Sequence, residues 1–253
     1  MMNALLIPLL ILMGQVPQRG VQDLALQVDG VGEVLYGISV PNDYDPKDPR
    51  PLVLALHPGG TRMRYYGSAY MRQVVAPGVR DLKPIIVAPD CPTQAWSDPG
   101  GERAAMALVQ FALEHYSIDR RRILVVGFSL GGRGTWFMSS HHPEVFTAAI
   151  PMAAATGGEP IEKLATMPTY VIHSRDDQVV PFAPAERNAR ELQKLGRTIR
   201  FEALMDLSHY DMVGYVDALR RGARWVADRW KERAASAFQL TPPLVWNVAL
   251  ATF

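Results

Sequence analysis

The chain has 253 residues, with 26 Lys plus Arg against 25 Asp plus Glu, a formal charge of +1 and a single cysteine. A chain of this length buries one large core as a single domain, and its balanced charge, with no long basic run, argues against a nucleic-acid partner. Cys91, standing alone, excludes an intrachain disulfide framework and any multi-cysteine metal site.

At the N-terminus the run ALLIPLLILMG, residues 4–14, has the length of a signal-peptide core and is too short to span a bilayer. Export to a secreted or periplasmic location is the expectation, although no Lys or Arg precedes the run and no A-x-A site follows it. The alternative is a cytoplasmic protein whose apolar segment packs on the domain or on a partner chain. Residues 1–20 are therefore set apart from a folded domain at 21–233. The last stretch, 234–253, is an extension of unknown role in which Pro242 and Pro243 stop any helix.

Between these ends strands and helices alternate. VQDLALQVD and GEVLYGISVP read as two early strands joined by a turn at 29–32. PLVLALHP and KPIIVAPD are short continuous apolar runs, the pattern of strands covered on both faces. A helix, ERAAMALVQFALEHY, precedes another buried strand, RILVVGF. Then come a helix reaching His141, the strands FTAAIPMAA and PTYVIHS, the helix PAERNARELQKLG, the strand TIRFEALMD and the long helix MVGYVDALRRGARWVADRWKER. This order predicts an α/β fold: a mainly parallel sheet with helices on both faces. TRMRYYGSAYM and CPTQAWSDPGG read as irregular segments at strand ends.

The chemistry concentrates where RILVVGF ends. Gly127-Phe128-Ser129-Leu130-Gly131 has the form G-x-S-x-G between a buried strand and a helix, the pattern of a nucleophile elbow. Such a sharp turn presents the serine hydroxyl in strained backbone geometry and needs small neighbours. The helix beginning after Ser129 also aims its free N–H groups at any oxyanion formed there.

A serine hydroxyl is a weak nucleophile at neutral pH and needs a base, which in turn needs an orienting acid. Of six histidines, His57, His115, His141, His142 and His173 each have an ordinary surface, capping or scaffold role. His209 stands in the loop between the last strand and the last helix and is the expected base, by the order serine, acid, histidine. Asp176 and Asp177 both follow a strand end and compete for the role of acid, whereas Asp206 and Asp211 read as turn or capping groups. The oxyanion hole requires two N–H donors. Leu130 supplies one, and the other comes from HPGG, where Pro58 has no N–H; Gly59 is favoured, with Gly60 behind it.

LALHPGG, GFSLGGRGTW, HSRDDQVVP and LSHYD, in this order across residues 21–233, resemble the α/β-hydrolase superfamily. Within it the chain is most similar to the lid-poor carboxylesterase, feruloyl-esterase and depolymerase-like group, which includes sequences described as predicted peptidases. The resemblance implies ester hydrolysis through an acyl-enzyme, with Ser129, Asp177 and His209 matching the family triad and Asp177 preferred through H-x-x-x-D-x-x-V-P. It also implies a small-molecule or polymer-linked ester substrate and no cofactor. Pro58 departs from the usual glycine, which bears on the second oxyanion donor and not on the fold.

ATGGEPIEKLATM is too short for a helical cap, so an open site is expected. Tyr65, Tyr66, Trp96 and Tyr210 are candidate pocket walls, and Arg62, Arg64 and Arg133 are candidate anion contacts; packing beneath loops and ordinary surface charge are the respective alternatives. A peptidase or thioesterase would use the same triad, and a non-catalytic binding protein would keep the scaffold but lack part of the machinery. A metal-dependent hydrolase is disfavoured because no H-E-x-x-H or clustered His/Cys spacing occurs.

Overall fold

The computed structural model describes residues 18–61 and 63–239. The apolar run at 4–14, the prolines at 242 and 243, and Arg62 lie outside them. Eight strands form one sheet: β1 (Gly20–Val28), β2 (Gly32–Val40), β3 (Arg50–Leu56), β4 (Ile85–Pro89), β5 (Ile118–Phe128), β6 (Ala148–Met152), β7 (Thr169–Ser174) and β8 (Ile199–Leu204). Their spatial order is β1-β2-β4-β3-β5-β6-β7-β8. The β1–β2 and β2–β4 pairs are antiparallel, and every later pair is parallel.

Continuous apolar strands make sense in this sheet because both faces are covered. Leu52, Leu54 and Leu56 of β3 join Ile123 and Val125 of β5 in one layer, while Val53, Ala55, Leu124, Val126 and Phe128 join the other. Helix α3 (Pro99–His115) packs Ala104, Ala105, Leu108 and Ala112 into the first layer. These positions recur at three- and four-residue intervals, and Pro99 opens the helix where its missing N–H costs nothing. Helices α4 (Leu130–His141) and α5 (Phe182–Lys194) cover the same face, where Trp136, Ala189 and Leu192 pack on Val171. Helix α6 (Val216–Gln239) covers the opposite face with Ala218, Leu219, Ala223, Val226 and Trp230.

Two elements differ from the sequence reading. The connection from β3 to β4, expected to begin irregularly, turns helical at Tyr66: α1 (Tyr66–Tyr70), one π turn (Met71–Val75), α2 (Ala76–Val79) and a short 3-10 turn (Arg80–Leu82). Tyr70, Met71, Val74, Val75 and Val79 bury its apolar side, but Gly67, Pro77 and Gly78 interrupt the pattern in the sequence. The last helix also starts and ends later than expected. Residues Met212–Tyr215 form a 3-10 turn, and α6 then runs past 233 to Gln239.

Because β3, β5, β6, β7 and β8 run parallel, the carboxyl ends of β3, β5, β7 and β8 share one edge of the sheet. HPGG, the serine elbow, the aspartate pair and the His209 loop all leave the sheet there. Between β6 and β7 the chain has only a 3-10 turn, Ile161–Lys163, and inserts no cap domain. No helix of the described residues is long and apolar enough to cross a membrane.

Candidate active site

Ser129 sits between β5 and α4 with φ 54° and ψ −114°, a conformation that L-residues rarely adopt. Neighbouring glycines make the turn possible. A Cβ on Gly127 would strike the backbone of Gly131, and one on Gly131 would strike the carbonyl groups of Leu56 and His57. Hydrogen bonds lock the turn at both ends: Ser129 N–H donates to Met152 O at 2.9 Å, and Arg133 N–H to Ser129 O at 2.9 Å.

His209 Nε2 lies 2.8 Å from Ser129 Oγ, and His209 Nδ1 lies 2.7 Å from Asp177 Oδ2. An ionised carboxylate only accepts, so Nδ1 carries the proton and Nε2 offers its lone pair to the serine hydroxyl. Asp177 Oδ1 is occupied separately by the N–H groups of Val179 at 2.9 Å and Val180 at 2.7 Å. The carboxylate is therefore oriented from both oxygens. His209 is 7% and Asp177 8% exposed, which shields their contact from water.

The neighbouring aspartates serve the loops. Asp176 accepts the Asp206 N–H at 2.7 Å, and Asp211 accepts the Ser208 N–H at 3.1 Å. Asp206 occupies a left-handed turn with φ 59°. Of the other histidines, His142 contacts Glu102 at 2.8 Å and His115 contacts the Phe111 carbonyl at 2.9 Å.

The HPGG loop lies against the elbow. A Cβ built on Gly59 would come 3.6 Å from the Leu130 side chain. Leu130 is the first residue of α4, so its N–H has no acceptor within the helix. The loop is fixed from beneath: Cys91 N–H donates to His57 Nε2 at 2.9 Å, and Trp96 Nε1–H donates to His57 O at 3.1 Å.

Trp96 is a correction to the sequence reading. It is 0% exposed, its ring packs edge-on against His57 at 5.1 Å, and it occupies the space beside Gly134. It therefore supports the loop from inside rather than standing as an exposed wall. CPTQAW is polar enough to suggest an open loop, but the segment between β4 and α3 folds the indole inward beneath HPGG. Tyr65, half-buried, ties its N–H to Asp90 at 2.7 Å, with the Arg64 guanidinium 5.8 Å from its ring centre. Tyr66 stacks obliquely on His57 at 4.6 Å, between a cavity of about 280 Å³ bordered by Met63 and Asp90 and one of about 70 Å³ bordered by Gly59 and Leu130. Tyr210 is 78% exposed beside His209, and Arg133 is exposed on the first turn of α4.

Sequence reasoning did not single out Gln178, whose side-chain oxygen accepts the His209 N–H at 3.1 Å. Its position next to Asp177 was the available signal. A larger cavity, about 680 Å³, lies at the opposite sheet edge between the start of β5 and α6, bordered by Arg120, Arg122 and Trp230. It holds no nucleophile beside a base.

The sheet order, the strained serine turn and the absence of an inserted cap are those of an α/β-hydrolase, and the chain groups with esterases of that fold. No family model matches it. It is 27% identical over 134 residues to feruloyl esterase B of Neurospora crassa, covering 53% of this chain and 41% of that protein. It is 26% identical over 165 residues to a probable feruloyl esterase C of Aspergillus niger, covering 58% of this chain and 56% of that one. The chain thus spans about half the length of the curated relatives it matches. Among solved structures, a thermostable esterase superposes with a TM-score of 0.65 at 26% identity, over 86% of this chain and 61% of its own.

Proposed function

We propose that this chain hydrolyses carboxylic esters through an acyl-enzyme, with Ser129 as nucleophile, His209 as base and Asp177 as orienting acid. The carrying observation is the unbroken hydrogen-bond chain from Ser129 Oγ through the His209 ring to Asp177, at 2.8 and 2.7 Å. Ser129 Oγ attacks the ester carbonyl carbon while His209 Nε2 takes its proton. The imidazolium is stabilised by Asp177, and the oxyanion by the N–H groups of Leu130 and Gly59. Collapse breaks the acyl–oxygen bond, and the departing alkoxide takes the proton back from His209. Water then enters, loses a proton to His209, attacks the acyl carbon and releases the acid as Ser129 is reprotonated.

A bulky substrate suits the surroundings. Met63, Val179, Tyr210 and Val213 are exposed apolar residues on the loops at this edge, and no cap among the described residues covers them. Tyr65, Tyr66 and Tyr210 offer aromatic faces for a phenolic acyl group, and the two curated relatives are named feruloyl esterases. A small or polymer-linked feruloyl ester is the substrate class we favour. The apolar run at 4–14 supports export.

The test is turnover of p-nitrophenyl, feruloyl and thioester substrates with a peptide control, alongside labelling by a serine-reactive phosphonate. The proposal expects ester turnover and label on Ser129. Label elsewhere, or turnover of the peptide alone, would overturn it.

A further inference from the structure

His173, at the end of β7, is fully buried and takes no part in the proton transfers above. Its Nε2 lies 2.9 Å from the Val180 carbonyl oxygen and 3.5 Å from Asp177 Oδ2. A carbonyl oxygen only accepts, so Nε2 carries the ring proton and Nδ1 the lone pair. Nδ1 is buried with no hydrogen-bond partner among the described residues. As core filling this is a poor choice, because an apolar side chain would occupy the space and strand no polar atom. The contribution of the imidazole therefore lies at Nε2.

Nε2 faces the loop that carries the acid. Val180 is held at both ends, its N–H by Asp177 Oδ1 at 2.7 Å and its carbonyl by His173. Asp177 Oδ2, the oxygen bonded to His209, is also the oxygen nearest His173 Nε2. At 3.5 Å this second contact is too long for a strong hydrogen bond and acts as a local positive dipole.

We infer that His173 is a positioning residue for the triad: its Nε2–H fixes Val180 and, through it, the Asp177 carboxylate in the orientation that His209 requires. The inference rests on the triad reading above. Asp177 and His209 are the titratable groups acting on the ring, and Phe182 covers it edge-on at 5.9 Å. Burial lowers the His173 pKa and nearby His209 lowers it further, against the raising effects of the Val180 bond and the Asp177 charge. The ring stays neutral, which leaves the Asp177 charge to the imidazolium that forms on His209.

The experiment compares the full chain with His173→Leu, which removes the donor, His173→Asn, whose amide falls short of Val180, and His173→Gln, whose amide reaches toward the Nε2 position. In His173→Leu and His173→Asn, kcat per folded molecule should fall about tenfold or more, with KM changed less than about twofold. The far-downfield proton resonance of His209 Nδ1–H should broaden or shift in both. His173→Gln should recover most of the turnover and the resonance. Should Leu fail to fold, Asn against Gln carries the comparison. Unchanged kcat and resonance in the variants lacking the donor overturn the inference, as does a Gln variant no better than Asn. Failure of the triad reading itself is distinct, because the unaltered chain would then not take a phosphonate on Ser129.

Discussion

Ser129 Oγ and His209 Nε2 meet at 2.8 Å although 80 positions separate the two residues in the chain. The meeting depends on β5 and β8 running parallel, so that both loops leave the sheet at one edge. It also depends on the backbone strain that lifts Ser129 above that edge.

That strain makes opposite predictions for stability and activity. Ser129→Ala should reduce ester turnover to background while the circular dichroism spectrum stays unchanged. Ser129→Gly should be equally inactive yet more stable than Ser129→Ala by about 1 kcal/mol, because glycine adopts positive φ without a Cβ penalty. Chemical denaturation of the two variants checks the ranking, and an alanine variant of equal or greater stability contradicts it.

The adjacent aspartates should separate cleanly. Asp177→Asn places an amide where His209 Nδ1–H needs an acceptor and favours the wrong tautomer, so kcat should fall by about three to four orders of magnitude. Asp176→Asn keeps an acceptor for the Asp206 N–H and should cost less than about tenfold. Steady-state kinetics on one p-nitrophenyl ester decides it; the reverse ranking would move the acid by one residue.

Pro58 has no N–H, so Pro58→Gly should retain most of the activity. Gly59→Pro deletes the proposed donor and should lower kcat on the order of a hundredfold, with a smaller change in KM, because the bond strengthens as charge develops on the oxygen. Unchanged binding of a ground-state ligand controls for loop distortion. Normal turnover in Gly59→Pro together with a loss in Gly60→Pro would put the donor one residue further on.

Trp96→Phe removes the indole N–H and leaves the buried His57 carbonyl without that bond. A loss of about 1–2 kcal/mol of stability is expected, together with lower turnover as the HPGG loop, proposed to hold the oxyanion donor, loosens. Were Trp96 a wall of the substrate pocket instead, KM would change and stability would not. Thermal melts beside kcat and KM distinguish the two.

Burial holds the His173 pKa below its ordinary value of 6.5, despite the raising effects of the Val180 bond and Asp177. In the window below 6.5 the unfolded chain binds a proton at this residue that the folded chain does not. Stability contributed by the neutral ring is thus complete above that pH and declines as pH falls through the window. His173→Gln should flatten this part of the melting temperature against pH profile, measured between about pH 7.5 and 5.5. An unaltered slope would show that His173 is already protonated in the folded protein.

Much of the architecture was legible because apolar periodicity is local. LVLAL and RILVVGF announce strands covered on both faces, and each indeed divides its side chains between two helical layers. The G-x-S-x-G turn and the order of the loops after it were equally readable, since backbone strain and strand-to-helix punctuation are written in consecutive residues. The helical crossover at 66–82 was not, because two glycines and a proline interrupt its period and burial of Tyr70 and Val74 overrides the local preference. Tertiary structure alone decided how side chains meet across long separations. It brings Asp177 Oδ2 within 2.7 Å of a histidine 32 positions away and sends Asp176 to a neighbouring loop. It turns Trp96 inward beneath HPGG, seats Gln178 on the His209 backbone and aims His173 at Val180. Those outcomes depend on which strand ends share an edge and which way each loop closes over it, and neighbouring residues in a sequence carry no record of either.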